Sequence, residues 1–399
     1  MIKVMAINAG SSSLKFKLYD MPEETVITEG NIERIGHEDA YYTININGDK
    51  IKTVLPVKNH KEATNLLLDD LVKRKIVSSL DEIKGVGHRI VQGGDYFSDS
   101  VIVDDDVIAK IDELCQLAPL HNPAHLTGIK AFMEVLPDVP NVVVFDTAFH
   151  QTMAEEAYMY ALPYEWYTKH RIRKYGAHGT SHQYVARKAA EVVGVPIEEL
   201  KIVTCHLGNG ASIAAVQGGK CVDTSMGLTP LEGIPMGTRS GNIDPAVVEF
   251  ICMKDNLTVS EVLYILNHKS GYLGVSGISN DSRDLEEAMQ RGDKRSKLAL
   301  DIQYKRIADY IGSYYVYMGG IDIIVFTAGI GENCSRCRSE VLRRVKVLGV
   351  ELDEEANAKA RGEIRELTTR DSKIRAFLIP TNEELVIARD TVRLARLIQ

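Results

Sequence analysis

A chain of 399 residues exceeds what one hydrophobic core usually organises, which favours two domains over one. Apolar residues at 45% and charged residues at 26% are ordinary for soluble domains and exclude a disordered chain, a collagen or a coiled coil. Forty-seven basic against fifty-five acidic side chains leave a net charge of −8, so no global positive field draws in nucleic acid or an anionic membrane.

Val4–Ile7 reads as a buried strand, Asn8-Ala9-Gly10-Ser11-Ser12 as a turn, and the alternation of Leu14, Phe16 and Leu18 with Lys15, Lys17 and Tyr19 as a second strand. Helical segments follow over 61–74, from Asn122-Pro123 to Leu136, and over Gln183–Val193, the last stopped by Gly194 and Pro196. Between them the apolar run Val142–Phe145 ends at Asp146, and 146–153 is the best candidate for a domain junction. Ile202–Leu207, the turn Gly208-Asn209-Gly210, Ala211–Val216, a Gly218-Gly219 turn and Cys221–Thr224 repeat the opening plan, as a duplicated domain would. Leu300, Tyr304, Ile307, Ile311 and Tyr314 keep helical spacing up to Gly319-Gly320. Ile321–Phe326 is then a buried strand feeding the turn Gly329-Ile330-Gly331 and a new helix. Strands alternating with helices predict an α/β architecture with mixed sheets.

The short apolar N-terminus is no secretory segment, and no run of about 18 apolar residues occurs, so a soluble, cytoplasmic protein without membrane contact is expected. Of six cysteines only Cys334 and Cys337 form a CxxC, without the second pair that structural zinc needs; thiols of a reducing compartment are expected.

Any anionic ligand must then be met by local cations. The first turn offers Asn8, Ser11, Ser12, Ser13 and Lys15, neutral donors plus one cation, which suits a polyphosphate; a Gly/Ser hairpin with an exposed lysine fits the same residues. It is no Walker A loop, and kinase HRD and DFG motifs are absent. Gly87-His88-Arg89 and Gly237-Thr238-Arg239-Ser240-Gly241 each mount an arginine among small residues. Together they fit an oxyanion clamp; singly, each reads as a surface arginine beside a flexible turn. Asp146 is either at the ligand-facing end of a strand or a helix cap. His178 and His182 flank Gly-Thr-Ser before a helix, a catalytic or a structural pair. Gly329-Ile330-Gly331-Glu332-Asn333 is half a dinucleotide fingerprint, and beside Asp281-Ser282-Arg283 it fits an adenosine slot.

Taken in order, Asn8–Lys15, Gly87–Arg89, Phe145–His150, Tyr175-Gly176, His178–His182, His206–Gly210, Met236–Gly241, Gly329–Asn333 and Pro380–Glu384 resemble the acetate kinase family over the whole chain. The resemblance implies the duplicated ribonuclease-H-like, actin-like ATPase fold, with an N-terminal domain of 1–150 plus 384–399 and a nucleotide-binding domain of 151–383. It implies a homodimer that binds ATP in an interdomain cleft and phosphorylates acetate, or propionate or another short-chain carboxylate. By position, Asn8 and Glu383 would hold Mg²⁺ or Mn²⁺; Lys15, Ser11, Ser13 and His206, Leu207, Gly208, Asn209 and Gly210 would face ATP phosphates. Asp281, Ser282, Arg283, Gly329, Ile330, Gly331, Glu332 and Asn333 would hold adenosine. Arg89 would bind the carboxylate, Arg239 and His178 would steady the phosphoryl group, and Asp146 would orient or act as acid/base. Val91, Leu120, Ala177 and Pro230 would line the acyl pocket. Ala177 stands where the family usually has phenylalanine, which predicts a wider pocket; Gln92 and Asn242 replace a usual histidine and aspartate. A nucleotide-gated actin-like or chaperone-like binding protein, needing no second-substrate arginine, and a sugar kinase, needing a general base, are the rival readings.

Overall fold

The first strand, β1 (Ile2–Ala9), buries four consecutive residues, Val4 to Ile7, as a central strand covered on both faces must. It pairs antiparallel with β2 (Ser13–Met21), where Leu14, Phe16 and Leu18 turn inward, and the meander continues through β3 (Thr25–Glu33), β4 (Tyr41–Ile46) and β5 (Asp49–Val54). On its other edge β1 pairs parallel with β6 (Ile83–Ile90). The short β7 (Val101–Ile102) and then β8 (Asn141–Phe145) complete an eight-stranded sheet of order β5-β4-β3-β2-β1-β6-β8-β7. The computed structural model describes residues 2–119 and 121–398.

A second sheet holds β9 (Lys201–Leu207), β10 (Ala211–Gln217), β11 (Lys220–Thr224), β12 (Ile323–Thr327), β13 (Arg365–Glu366) and β14 (Arg375–Leu378), in the order β11-β10-β9-β12-β14-β13. Three antiparallel strands followed by two parallel ones, β11-β10-β9-β12-β14, repeat β3-β2-β1-β6-β8. The duplication expected from two similar glycine turns is therefore a duplicated topology, and the fold is the two-domain, actin-like α/β class. One unit is Met1–Phe149 with Asn382–Gln399, the other His150–Thr381.

Helices cover each sheet. In the first unit His60–Lys73, capped by the Asn59 side chain on the Glu62 amide, buries Leu67, Leu68 and Leu71 in a core with Met5, Ile7, Leu14 and Phe16. The C-terminal helix Glu383–Leu394 lies close against β6 because Gly85 and Gly87 have no side chains; a Cβ on Gly85 would sit 2.7 Å from Thr391 Cγ2. In the second unit Lys294–Met318 places Leu300, Tyr304, Ile307, Ile311 and Tyr314 in the core as its spacing requires. Two elements differ from expectation. The helix expected from Gln183 begins at Gly179, because Gly179 to His182 are buried and helical. Gly329–Gly331 lie inside the helix Ala328–Asn333 instead of a turn, since the Glu332 carboxylate accepts the Ala328 amide at 3.0 Å and closes the turn.

His88 on β6 is buried, its Nε2 2.8 Å from Asn141 Oδ1. Burial pulls it down to about 4, against the weaker support of Asn141. The unfolded chain therefore binds a proton that the folded one refuses: the contribution is complete above the ordinary histidine value and is lost as pH falls toward 4. Between pH 7 and 5 this group alone should cost about 2 kcal/mol of stability. Urea unfolding of His88→Gln should show a loss over that interval smaller by this amount; an unchanged loss would absolve His88.

Candidate active site

In the first unit, parallel pairing sets the ends of β1, β6 and β8 level: Ile7 lies beside His88, and Arg89 beside Val144. Asn8, Arg89 and Asp146 consequently share the carboxyl edge of three adjacent strands, where open α/β sheets bind ligands. Arg89 belongs to the strand itself and not to a flexible turn, so its guanidinium is held rather than loose. Its Nη2 donates to Asp146 Oδ2 at 2.6 Å and its Nε to Oδ1 at 3.1 Å, while Nη1 has no partner among the described residues. Asp146 is 1% exposed, and its amide donates to Ile90 O at 2.8 Å. Glu383, on the first turn of the C-terminal helix, brings Oε2 to 3.8 Å from Arg89 Nε. Burial opposes the Arg89 charge, but Asp146 and Glu383 outweigh it and hold the pKa above the ordinary value. Burial and the neighbouring Asp146 push Glu383 up to about 7 despite Arg89.

Val91 opens the loop beyond β6, which Asn122 clamps: Asn122 Nδ2 donates to Gln92 O at 2.9 Å and its Oδ1 accepts the Gln92 amide at 3.2 Å. Asn122 was not singled out from the sequence, where it reads as a helix start. Gln92 Oε1 accepts the Gly94 amide, so this side chain serves loop structure; Asn242 likewise accepts the Gly233 amide and donates to Tyr310. Lys15 is exposed on β2 and, with Asn8, lines a cavity of about 320 Å³; Ser11 and Ser13 lie at the hairpin turn. Leu120 lies outside the described residues.

The second unit holds a histidine network. His178 caps the helix Gly179–Val193 in the left-handed region, φ 57° and ψ 22°, a conformation costly for a residue with a side chain and found mostly where surroundings enforce it. Its Nδ1 is 2.8 Å from Ser212 Oγ, which is also 2.8 Å from His182 Nε2, and His182 Nδ1 is 2.7 Å from Thr204 Oγ1. Burial holds His182 well below the ordinary range, so it stays neutral. His206 bonds to Ser181 through Nδ1 and stacks on the His178 ring at 4.1 Å. Arg239 Nη1 reaches Pro230 O at 3.2 Å and Met236 Sδ at 3.6 Å, and no carboxylate among the described residues pairs with it. A Cβ added to Gly210 would lie 3.4 Å from Arg239 Nη1 and 3.6 Å from His178 Nε2, so the missing side chain leaves a space flanked by a guanidinium and an imidazole.

Beside this group a cavity of about 710 Å³ is lined by Gly208, Asn209, Asp281, Ser282, Arg283, Gly329, Ile330 and Asn333, from three separate predicted stretches, with Asn280, Glu286, Cys334 and Arg361 added. Asp281 caps its helix through the Arg283 amide at 2.9 Å, and its carboxylate also grips the Arg283 guanidinium. Leu207 is buried in the core, and Gly331 and Glu332 do not line the cavity; they support it from behind. Ala177 is buried, its carbonyl 2.9 Å from His150 Nε2.

Residues 3–389 match the Acetokinase family. The chain belongs to that family. A relative named acetate kinase from Geobacillus sp. (strain WCH70) is 58% identical over 397 residues, covering all of both chains. Among solved structures, Porphyromonas gingivalis acetate kinase superposes with a TM-score of 0.95 at 43% identity, over 99% of this chain and all of that one. A propionate kinase from Francisella tularensis gives 0.93 at 41% identity with the same coverage. An acetokinase family member is a kinase, and the two residue groups described above are its candidate machinery. No helix among the described residues is long and apolar enough to cross a membrane.

Proposed function

We propose that the chain transfers the γ-phosphoryl group of ATP reversibly to acetate, giving acetyl phosphate and ADP. The observation that carries this is Arg239, a half-buried guanidinium without a carboxylate partner among the described residues, set with His178 around the space that Gly210 leaves: a seat for an anion. The cavity beside it is the size of a nucleoside site. Acetate is already ionised at neutral pH, its pKa being near the carboxylate value of about 4.3, so its attack needs no proton removal. The barrier is repulsion between two anions, about 4 kcal/mol for unit charges near 4 Å at an effective dielectric of 20. Arg239 offsets it, and His178 adds a donor where charge spreads over the equatorial phosphoryl oxygens. Asp146 is committed on both oxygens to Arg89, which suits orientation of that guanidinium and argues against the free general base a sugar kinase needs.

Asn8 and Glu383 offer hard oxygen donors near one sheet edge, and a Glu383 raised to about 7 by burial and by the neighbouring Asp146 is a carboxylate that a cation would relieve. No group of three or more acidic, histidine or cysteine side chains among the described residues forms a cage, which fits Mg²⁺, an ion that retains waters and shares itself with phosphates. Bound there, Mg²⁺ would neutralise phosphate charge. The six thiols are free, as a cytoplasmic enzyme's would be. A homodimer is proposed from the helices Ala246–Asp255 and Val259–His268, which leave Phe250, Met253, Leu263 and Tyr264 exposed. Sedimentation should give twice the chain mass, and Phe250→Asp should lower it.

The test is an acid panel from formate to butyrate with ATP and Mg²⁺, trapping acyl phosphate with hydroxylamine beside glucose and no-acceptor controls. Hydroxamate with acetate and none with glucose is expected; ATP loss independent of any acid would favour the nucleotide-gated reading. Ala177, smaller than the usual phenylalanine, supports good use of propionate. Ala177→Phe should shift kcat/KM toward acetate by about tenfold or more, since a methylene is worth about 1–3 kcal/mol. An unchanged ratio would remove Ala177 as the determinant.

A further inference from the structure

The wall of the 710 Å³ cavity carries two thiols that phosphoryl transfer does not use. Cys334 is half-buried and faces the cavity; Cys337, one turn on, is fully buried. Cys334 caps the helix Ser335–Arg344, its sulfur accepting the Cys337 amide at 3.1 Å. Its thiol also donates to Glu286 Oε1 at 2.7 Å. The arrangement offers a sulfur reachable from a cavity, a backbone amide that favours it as thiolate, and a shielded second sulfur one helical turn on, while the Glu286 carboxylate holds the resting thiol protonated. The remaining cysteines lack it. Cys205 and Cys221 are fully buried, as Cys337 is, but neither lines this cavity. Cys115 and Cys252 have no cysteine neighbour in sequence.

We propose that Cys334 is a thiol-oxidation site and that it closes a reversible disulfide with Cys337 which weakens nucleotide binding in the cavity. The oxidant is a small-molecule disulfide. Cys334 loses its proton, and its sulfur attacks one sulfur of the oxidant; that S–S bond breaks and one thiol leaves. The Cys337 thiolate then attacks Cys334 in the mixed disulfide and expels the second thiol. Two electrons pass from the protein to the oxidant, and the two protons end on the two leaving thiols. Once oxidised, Cys334 no longer donates to Glu286, and an unpartnered carboxylate then faces the cavity, where it repels a polyanion.

The disulfide half stands without any function; the effect on binding rests on the nucleotide reading of this cavity. The whole chain is incubated with glutathione disulfide, with and without ATP, and followed by intact mass, peptide mapping and ATP titration. Expected are a net loss of about 2 Da mapped to Cys334–Cys337, an ATP Kd raised about tenfold, recovery with dithiothreitol, and slower modification when ATP is present. Cys337→Ser should stop at a glutathione adduct of about 305 Da on Cys334, and Cys334→Ser should gain neither product, each variant being compared with its own reduced form. Absence of the disulfide in wild type overturns the proposal, and so does an oxidised protein that binds ATP as tightly as the reduced one. A reduced protein that binds no ATP overturns the nucleotide reading instead, and the disulfide is then judged by mass alone.

Discussion

Arg239→Ala should lower kcat for acetyl phosphate formation by about 10²–10³-fold while the KM for ATP changes by less than about threefold. The reason lies in what Arg239 lacks. Its charge is half withdrawn from water, with the Pro230 carbonyl and the Met236 sulfur as its only partners among the described residues, and burial pulls its pKa below the ordinary value. A guanidinium left in that condition is satisfied only when an anion arrives, and most fully when charge peaks on the transferring phosphoryl group. Removing it should therefore leave thermal stability unchanged or improved, because a poorly compensated charge has gone. Arg239→Lys should recover only part of the rate, since an ammonium cannot reproduce the planar fork. Gly210→Ala should resemble Arg239→Ala in kinetics, as its methyl would enter the space between Arg239 and His178. If Arg239→Ala kept its kcat, or lost activity only by unfolding, the anion seat would be refuted.

The architecture was legible because its signals are local. Buried strands entering glycine turns at Gly10 and at Gly208–Gly210 announced two copies of one plan, and period-3.6 spacing placed Leu300 to Tyr314 on a core face. The stretches around the large cavity were legible too, since each carries its own glycines or cap. Partnerships across the chain were not. Nothing near Arg89 reveals that Asp146, 57 residues on, occupies two of its donors, nor that Ser212 ties His178 to His182. Such pairings are fixed by sheet register and helix placement, which a one-dimensional pattern does not encode. At 329–331 the motif reads as a turn and becomes helical because the side chains of Glu332 and Arg338 satisfy backbone groups of this turn, a role that neither residue type announces.

Arg338→Met should destabilise the protein by about 3–5 kcal/mol and lower Tm by at least about 6 °C, with ATP affinity falling alongside. Arg338 is fully buried, yet unlike Arg239 it is saturated. Its Nη1 donates to Gly331 O at 2.9 Å and Glu332 O at 3.1 Å, its Nη2 to the Asn357 and Ala360 carbonyls at 2.9 Å each, and its Nε to Asn357 Oδ1 at 2.8 Å. Methionine fills much of the volume but leaves those acceptors buried and unpaired. Two of them end the helix Ala328–Asn333, whose Gly329, Ile330 and Asn333 line the cavity, so slack there reaches the nucleotide wall directly. Arg338→Lys, able to make only some of the bonds, should fall between. The two buried arginines thus separate by measurement: one loses rate without stability, the other stability first. A stable Arg338→Met with normal ATP binding would show that the loop holds itself, and the account of its helical turn would fail.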